Sequence, residues 1–481
     1  MRILFTIRSA MNQTAPINRL PPETLTRALE FREDDKDLIS ATHVCQRWRS
    51  ALSSSPSLWT NVVFRDSHRV LTYLTRSKTL PIDVSFKPVR ISFEAWKFSP
   101  KDLFTSRIPW VDRVKSLHIR GDEEHIEAIT RRLCLPAPLL QHLKFDGIPN
   151  RNLIRRTLGA VHFPHDFLGG TAPSLQSLSF ESISPTPIIT FPLSSLTSLT
   201  WIDRDSTATV KDLLTILTSA PLLEVMTVHL RVRSVSAAER MTVVTLDNLR
   251  ELSWSNSGGT FSLMSCLIAP ELRCLNLRVI LATNSSQSDL ASILPPHGGH
   301  FPLLIEPTEM RYASRSGTRW CHFTSATGHI GITVIPGNCP NVARSFNWLS
   351  QDTPISFRRT KQLVIEEGYP PLGGIPIEQF ESLESLELVG GANVCSSLLR
   401  PYRHAVSGAL VAPFPTLLKL QATSNANLPL DALAEVLRER KHAGYQVETA
   451  RIRGGWTVPR EELTANMRES VDELVLELAH T

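Results

Sequence analysis

Apolar residues recur along this chain at two different periods. Near the front they follow a helical step. Leu25 and Leu29 stand four apart, and Leu38, Ala41, Cys45, Trp48 and Leu52 follow at steps of 3, 4, 3 and 4. That is one stripe of an amphipathic helix. Pro22 suits a first helical position, where its missing N–H is no loss, and Glu23 then sits in the first turn, favoured by the helix dipole. The acidic run Glu33-Asp34-Asp35, followed by Lys36, interrupts the pattern and offers a second N-cap. Ser53-Ser54-Ser55-Pro56 ends it.

Beyond residue 60 the period shortens to that of a strand, in a recurring phrase, Leu-x-x-Leu-x-apolar. It reads Leu175 to Phe180, Leu249 to Trp254, Leu272 to Leu277, Leu383 to Leu388 and Leu417 to Ala422, with weaker copies around Leu117, Leu143, Leu199, Met226 and Leu363. Its alternating end predicts a short strand with one face in and one out. The second anchors lie 26 apart from 117 to 143, 21 from 178 to 199, 26 from 226 to 252 and 23 from 252 to 275. Those gaps fall within the leucine-rich-repeat range of about 20–29 residues. Helical patterns lie between strands, at Lys211 to Leu217 and Leu433 to Arg438. A strand and helix per unit, stacked, predicts a curved α/β solenoid. The asparagine that ordinarily follows the strand is mostly missing, so loop backbone groups need other partners. Glu461 to Leu478, charged and last, is expected to cap the array.

The rhythm is lost between Leu275 and Leu363. That stretch holds a loop by composition, Pro295 to His300. Trp320–Phe323 and the alternating Ile330, Ile332 and Val334, around a Ser325–Gly328 turn, predict a hairpin. Residues 279–359 are therefore either an insertion passing over one end or degenerate repeats.

Val44 lies beside the helical stripe rather than on it. A module of about 40 residues rarely buries every apolar group by itself. Leu20, Pro21 and Val44 therefore pack on the rest of the chain or form a partner interface. The order Leu20-Pro21-Pro22-Glu23, Leu25, Leu29, Asp37-Leu38, Val44-Cys45-x-x-Trp48-Arg49, Pro56-x-Leu58-Trp59 closely resembles the F-box. That resemblance implies a helical hook for a Skp-type adaptor, with Leu20, Pro21, Leu25, Val44, Cys45 and Trp48 as adaptor-binding residues. Through the adaptor it implies a cullin ubiquitin ligase. Two departures are Ala28-Leu29 in place of the usual Ile-Phe pair and the long charged turn from Glu33 to Lys36. Leu74 to Val84 resembles the unit that follows the F-box in an expanded group of mushroom-forming-fungus proteins, which implies a fungal source.

Composition changes this picture little. The 481 residues are 42% hydrophobic and 20% charged, with a formal charge of +5, an ordinary globular balance that argues against nucleic acid as the main ligand. Seven cysteines without a C-x-x-C pair support neither a zinc site nor a disulfide framework; reduced thiols in the cytoplasm or nucleus are expected. The apolar run from Ile3 to Ile7 is too short for a signal peptide, Met11 is a second candidate start, and no run approaches the ~18 apolar residues of a membrane span.

No phosphate loop, metal motif or nucleophile elbow occurs. His297 and His300 flank a Gly-Gly turn, and Cys321 and His322 should point to opposite strand faces. No catalysis, cofactor or metal is expected. The strand position between the second and third apolar residues should face the concave side of the solenoid: His118, Lys144, Ser179, Thr200, Thr227, Ser253, Asn276 and Glu387. Small, polar and mixed in charge, these suit a protein substrate better than a dry pocket. The expected architecture is a disordered segment at 1–14, an all-α F-box-like domain at 15–62, and an irregular leucine-rich-repeat-like α/β solenoid at 63–481. The expected function is the substrate receptor of a Skp–cullin–F-box type ligase. The alternative is a non-catalytic repeat-based protein-binding module working outside any ligase.

Overall fold

A computed structural model describes residues 15–31, 35–64, 67–86, 110–148, 160–186, 193–203, 209–230, 242–257, 264, 266–280, 301, 306–315, 318–335, 355–367, 379–389, 398–403, 410–424, 430–454 and 460–478. The expected disorder of residues 1–14 and the loop at Pro295–His300 lie outside them. The chain divides into two compact units, Met1–Asp203 and Arg204–Thr481. The expected boundary at 62/63 falls inside the first unit.

The first unit opens with a 3-10 turn at Pro16–Arg19 and three helices, Pro22–Glu30 (α1), Asp35–Thr42 (α2) and Gln46–Ser53 (α3). Pro22 opens α1 and Glu23 sits in its first turn, as the sequence predicts. The stripe from Leu38 to Leu52, however, is not one helix. The backbone breaks at Cys45, which is extended (φ −157°, ψ 171°) and starts α3. Leu38, Ala41 and Leu52 are buried, while Cys45 and Trp48 are only half-buried. The periodicity survives because the two short helices present their apolar residues to one shared core.

A second 3-10 turn, Pro56–Trp59, leads into strand Asn61–Phe64 (β1), helix Ser67–Arg76 (α4), strands Ile82–Phe86 (β2) and Val114–Gly121 (β3), and helix Glu123–Thr130 (α5). Strands His142–Gly147 (β4), Ala160–His162 (β5), Ser177–Glu181 (β6), Ser184–Thr186 (β7) and Ser198–Asp203 (β8) complete the unit. Asp122 caps α5 by accepting from the His125 N–H at 3.0 Å. The order β1-β2-β3-β4-β6-β8 is parallel throughout, with β5 and β7 forming a separate parallel pair.

Apolar anchors pair in register: Val84 with Leu117, Leu117 with Leu143, Leu143 with Leu178, and Leu178 with Leu199. All five are buried. Inward aromatic side chains lie behind them: Phe145 stacks on Phe180 at 5.6 Å between ring centroids, and Phe180 meets Trp201 at a tilt at 6.0 Å.

The second unit starts with helix Val210–Thr218 (α6), whose Thr209 and Asp212 form a reciprocal capping box. Strands Val225–Leu230 (β9), Val244–Thr245 (β10), Glu251–Ser257 (β11), Leu267–Ile268 (β12), Cys274–Ile280 (β13), Glu309–Arg315 (β14), Thr318–Thr324 (β15), His329–Ile335 (β16), Gln362–Glu367 (β17), Ser385–Val389 (β18), Tyr402–Arg403 (β19), Leu410–Val411 (β20) and Lys419–Ser424 (β21) follow. Helix Leu430–His442 (α7), strand Val447–Gly454 (β22), helix Arg460–Arg468 (α8) and strand Val471–Leu478 (β23) complete it. The order is β9-β11-β13-β16-β15-β14-β17-β18-β21-β22-β23, parallel except where β15 runs against β16 and β14. Leu252, Leu275 and Leu386 are buried in three different strands of this order.

The stretch without rhythm is therefore built into the sheet. β15 and β16 form the expected hairpin, but β14 adds a third antiparallel strand, and the meander joins β13 to β17. The described residues of this stretch supply three strands to the sheet. Its alternation keeps the same inward rows: Ile330, Phe323 and Met310 continue the row from Leu275 to Leu363.

The absent asparagine has a substitute in the turns before the strands. Ser174 Oγ donates to the Pro138 carbonyl (2.7 Å), Ser195 Oγ to Pro173 (2.5 Å) and Asn248 Nδ2 to Pro221 (3.2 Å). Each link ties one turn to the turn before it. The backbone adds to this by sharing acceptors: the N–H groups of Gln176 and Ser177 both reach the Gln141 carbonyl, and those of Glu384 and Ser385 both reach Lys361. Later turns carry phenylalanine instead: Phe357 stacks on Phe380 at 5.2 Å, and Phe380 meets Phe414 edge-on at 6.0 Å. Arg440 of α7 is wholly buried and donates to the carbonyls of Leu399, Pro413 and Phe414 at 3.4, 2.5 and 2.9 Å. Burial pulls this guanidinium down to about 10, still far above neutrality, so it stays a buried cation held by carbonyls.

Candidate functional site

The N-terminal helices are held to the preceding 3-10 turn by one buried polar residue. Asn18 Oδ1 accepts from Trp48 Nε1 at 2.6 Å and lies 4.0 Å from Cys45 Sγ. Arg47 closes the same joint. Its guanidinium donates to the Asn18 carbonyl and, at 2.7 Å, to the Leu20 carbonyl. Arg49 Nε donates to the Thr42 carbonyl at 3.0 Å, satisfying the end of α2 from the first turns of α3. Trp59 closes the module from behind: Nε1 donates to the Leu52 carbonyl at 2.8 Å, its ring meets Tyr73 edge-on at 4.9 Å, and Arg76 lies 4.3 Å over it.

This joint fixes what is left outside. Ile17, Leu20 and Val44 are 49%, 38% and 53% exposed, and Pro21 is exposed beside them. Leu20 and Val44 flank the residues that Asn18 and Arg47 tie together, so the apolar groups share one end of the module. Leu25, by contrast, is only 6% exposed and belongs to the core. Cys45 and Trp48 are half-buried, Trp48 with its indole N–H committed to Asn18. Of the six sequence-chosen residues, then, Leu20, Pro21 and Val44 are exposed and Leu25, Cys45 and Trp48 are buried or half-buried. Asn18 and Arg47 escaped sequence reasoning, because a polar residue before a proline pair carries no period.

The eight strand residues chosen from the repeat phrase fall into a single register row in each unit. In the first, His118 pairs with Lys144, Lys144 with Ser179, and Ser179 with Thr200. In the second, Thr227 pairs with Ser253 and Ser253 with Asn276, and the row continues through Gly331, His322, Arg311 and Val364 to Glu387. Polar and charged side chains on this face find local partners. Lys144 Nζ is 2.6 Å from Glu181, Arg120 Nε is 3.2 Å from Asp146, and Gln421 Nε2 donates to Glu387 at 3.4 Å. Val364 interrupts the polar row with a buried side chain.

One thiol–imidazole contact was invisible to spacing: Cys274 Sγ lies 3.0 Å from His329 Nε2, across the β13–β16 pairing. Burial, reinforced by Glu251, pushes the Cys274 thiol up, and the Asn276 bond offsets this only in part. A thiol held protonated is a poor nucleophile. Cys321 and His322 do face opposite ways, Cys321 buried and His322 exposed. No group of three or more His, Cys, Asp or Glu that could hold a metal occurs among the described residues. No described helix is long and apolar enough to cross a membrane.

The F-box-like family matches residues 17–65. The chain therefore carries an F-box-like domain, followed by a large sheet-rich α/β region. No curated protein matches the sequence.

Proposed function

We propose that this protein is the substrate-receptor subunit of a Skp–cullin–F-box type ubiquitin ligase. The F-box-like module binds the Skp-type adaptor, and through it a cullin. The strand array, read as an irregular leucine-rich-repeat-like solenoid, holds a protein substrate on the polar rows from His118 to Thr200 and from Thr227 to Glu387. The chain is itself non-catalytic, needs no cofactor, and works in the cytoplasm or nucleus.

The observation that carries this reading is the exposed group Leu20, Pro21 and Val44, standing at the fixed end of a module that matches the F-box-like family. Apolar groups held out by a hydrogen-bonded joint are what an obligate partner would cover. The supported test is co-expression of the full chain with the adaptor, followed by purification and titration. A stoichiometric complex that Val44→Asp removes is expected. Failure of the wild-type chain to bind any Skp-type adaptor would leave the array as a protein-binding module outside a ligase.

A further inference from the structure

The last strand of the second unit differs from those before it. β23 pairs in parallel with β22 from Val447–Val471 to Gly454–Leu478, and among the described residues its other edge has no partner strand. Interior strands bury both inward positions: Ala450 and Ile452 of β22 are 0% exposed. The equivalent pair in β23, Leu474 and Leu476, is half-exposed. α8 does not close over them. Between helix and strand lies a cavity of about 480 Å³, lined by Glu461, Thr464, Ala465, Arg468, Leu474 and Leu476. The segment from Glu461 to Leu478, expected to cap the array, forms a helix and a strand whose outer edge has no partner strand among the described residues.

Charge indicates what fits there. β23 carries Asp472, Glu473 and Glu477 and no basic residue. On its paired side the array answers this with Arg451, whose Nε lies 3.8 Å from Glu477, and with Gln446, which donates to Asp472 at 2.6 Å. A second copy of β23 on the free edge would set acid against acid, one of the devices by which edge strands avoid self-pairing. A strand alternating apolar and basic residues meets neither obstacle. Its apolar side chains cover Leu474 and Leu476, and its basic ones face Glu473 and Glu477. Backbone hydrogen bonds to the unpaired edge would supply affinity, and the alternation would supply register.

We propose that the outer edge of β23 is a docking site for an extended segment of a partner protein with alternating apolar and basic residues, taken up as an added strand. The site is separate from the polar strand rows and from the adaptor-binding module, so adaptor titration stands or falls independently of it.

The test uses the full chain and a short fluorescein-labelled peptide of alternating arginine and valine. Saturable binding is expected by anisotropy, together with slower deuterium uptake in residues 471–478. The same peptide N-methylated at alternate backbone amides should bind roughly tenfold more weakly, since it cannot complete the strand pairing. Glu477→Lys, an exposed substitution, should weaken binding of the parent peptide to a similar degree at an unchanged melting temperature. Equal binding of the N-methylated peptide would mean electrostatic adhesion and overturn the proposal. So would protection mapping elsewhere, or no saturable binding. A peptide-free dimer by light scattering, with 471–478 protected, would replace the proposal with self-pairing.

Discussion

Trp48 Nε1 donates to Asn18 Oδ1 across 2.6 Å, joining residues 30 positions apart and setting the first 3-10 turn against α3. Asn18→Ala would leave the half-buried indole N–H without that acceptor, a cost of about 1–3 kcal/mol. The loss should fall on adaptor affinity more than on the whole fold, because the same joint holds the Leu20 carbonyl through Arg47. Asn18→Asp keeps an acceptor in place and should retain most binding. Calorimetric titration with the adaptor, beside a thermal melt of each variant, separates the two effects.

Val44 and Leu52 make an opposed pair. Val44 is exposed and Leu52 is wholly buried. Val44→Asp should leave the melt within about 0.5 kcal/mol of wild type, as surface changes do, yet place an unpaired charge in the adaptor interface. Leu52→Ala should destabilise the module by about 2–5 kcal/mol and reduce binding only as far as it unfolds the site. Trp48→Ala should do both. If Val44→Asp binds the adaptor as wild type does, the exposed apolar end is not the interface.

The parts of this architecture that period could reveal were legible. Leu178, Leu252, Leu275 and Leu386 mark buried strands because a half-buried strand must alternate, and the residue after each anchor falls into a register row for the same reason. What escaped were facts about pairing and direction. A helical step continues across Cys45 although the backbone does not, since two short helices can share one core face. Cys274 meets His329 only because β16 pairs with β13, which no local pattern states. The turn links from Ser174, Ser195 and Asn248 use small polar residues common to any loop, so they carry no signal until the turns are stacked.

His322 lies on the exposed face, but its ring passes close over Gly331. Burial, then the nearby Arg311 and His329, lower its affinity for a proton, with Glu366 opposing them. A histidine whose folded value is lowered binds its proton more readily when unfolded. It therefore contributes stability that is complete above about pH 6.5, the ordinary value, and is lost as pH falls towards the folded value. The second unit should melt at lower temperature as pH falls below about 6.5, and His322→Phe should flatten that slope. Differential scanning calorimetry across this range checks it, and an unaltered slope would show that His322 does not control it.

Gly328 and Gly331 test how firmly the meander belongs to the sheet. Gly328 sits where the β15–β16 turn meets Arg273, just before β13. A Cβ on it would lie 1.9 Å from the Arg273 carbonyl oxygen, a backbone atom that cannot swing aside. A Cβ on Gly331 would meet Asn276 Oδ1 at 2.8 Å and the His322 ring at 3.3 Å, both ends of movable side chains. Gly328→Ala should therefore cost at least about 1–3 kcal/mol, the range for forced overpacking. It should also speed amide exchange in residues 274–280 and 329–335 together, because their pairing begins at Cys274 and His329. Gly331→Ala should cost less and leave that exchange slow. Equal tolerance of both substitutions would mean that the meander does not pair with β13 in solution, and the continuous sheet from β9 to β23 would be broken at that point.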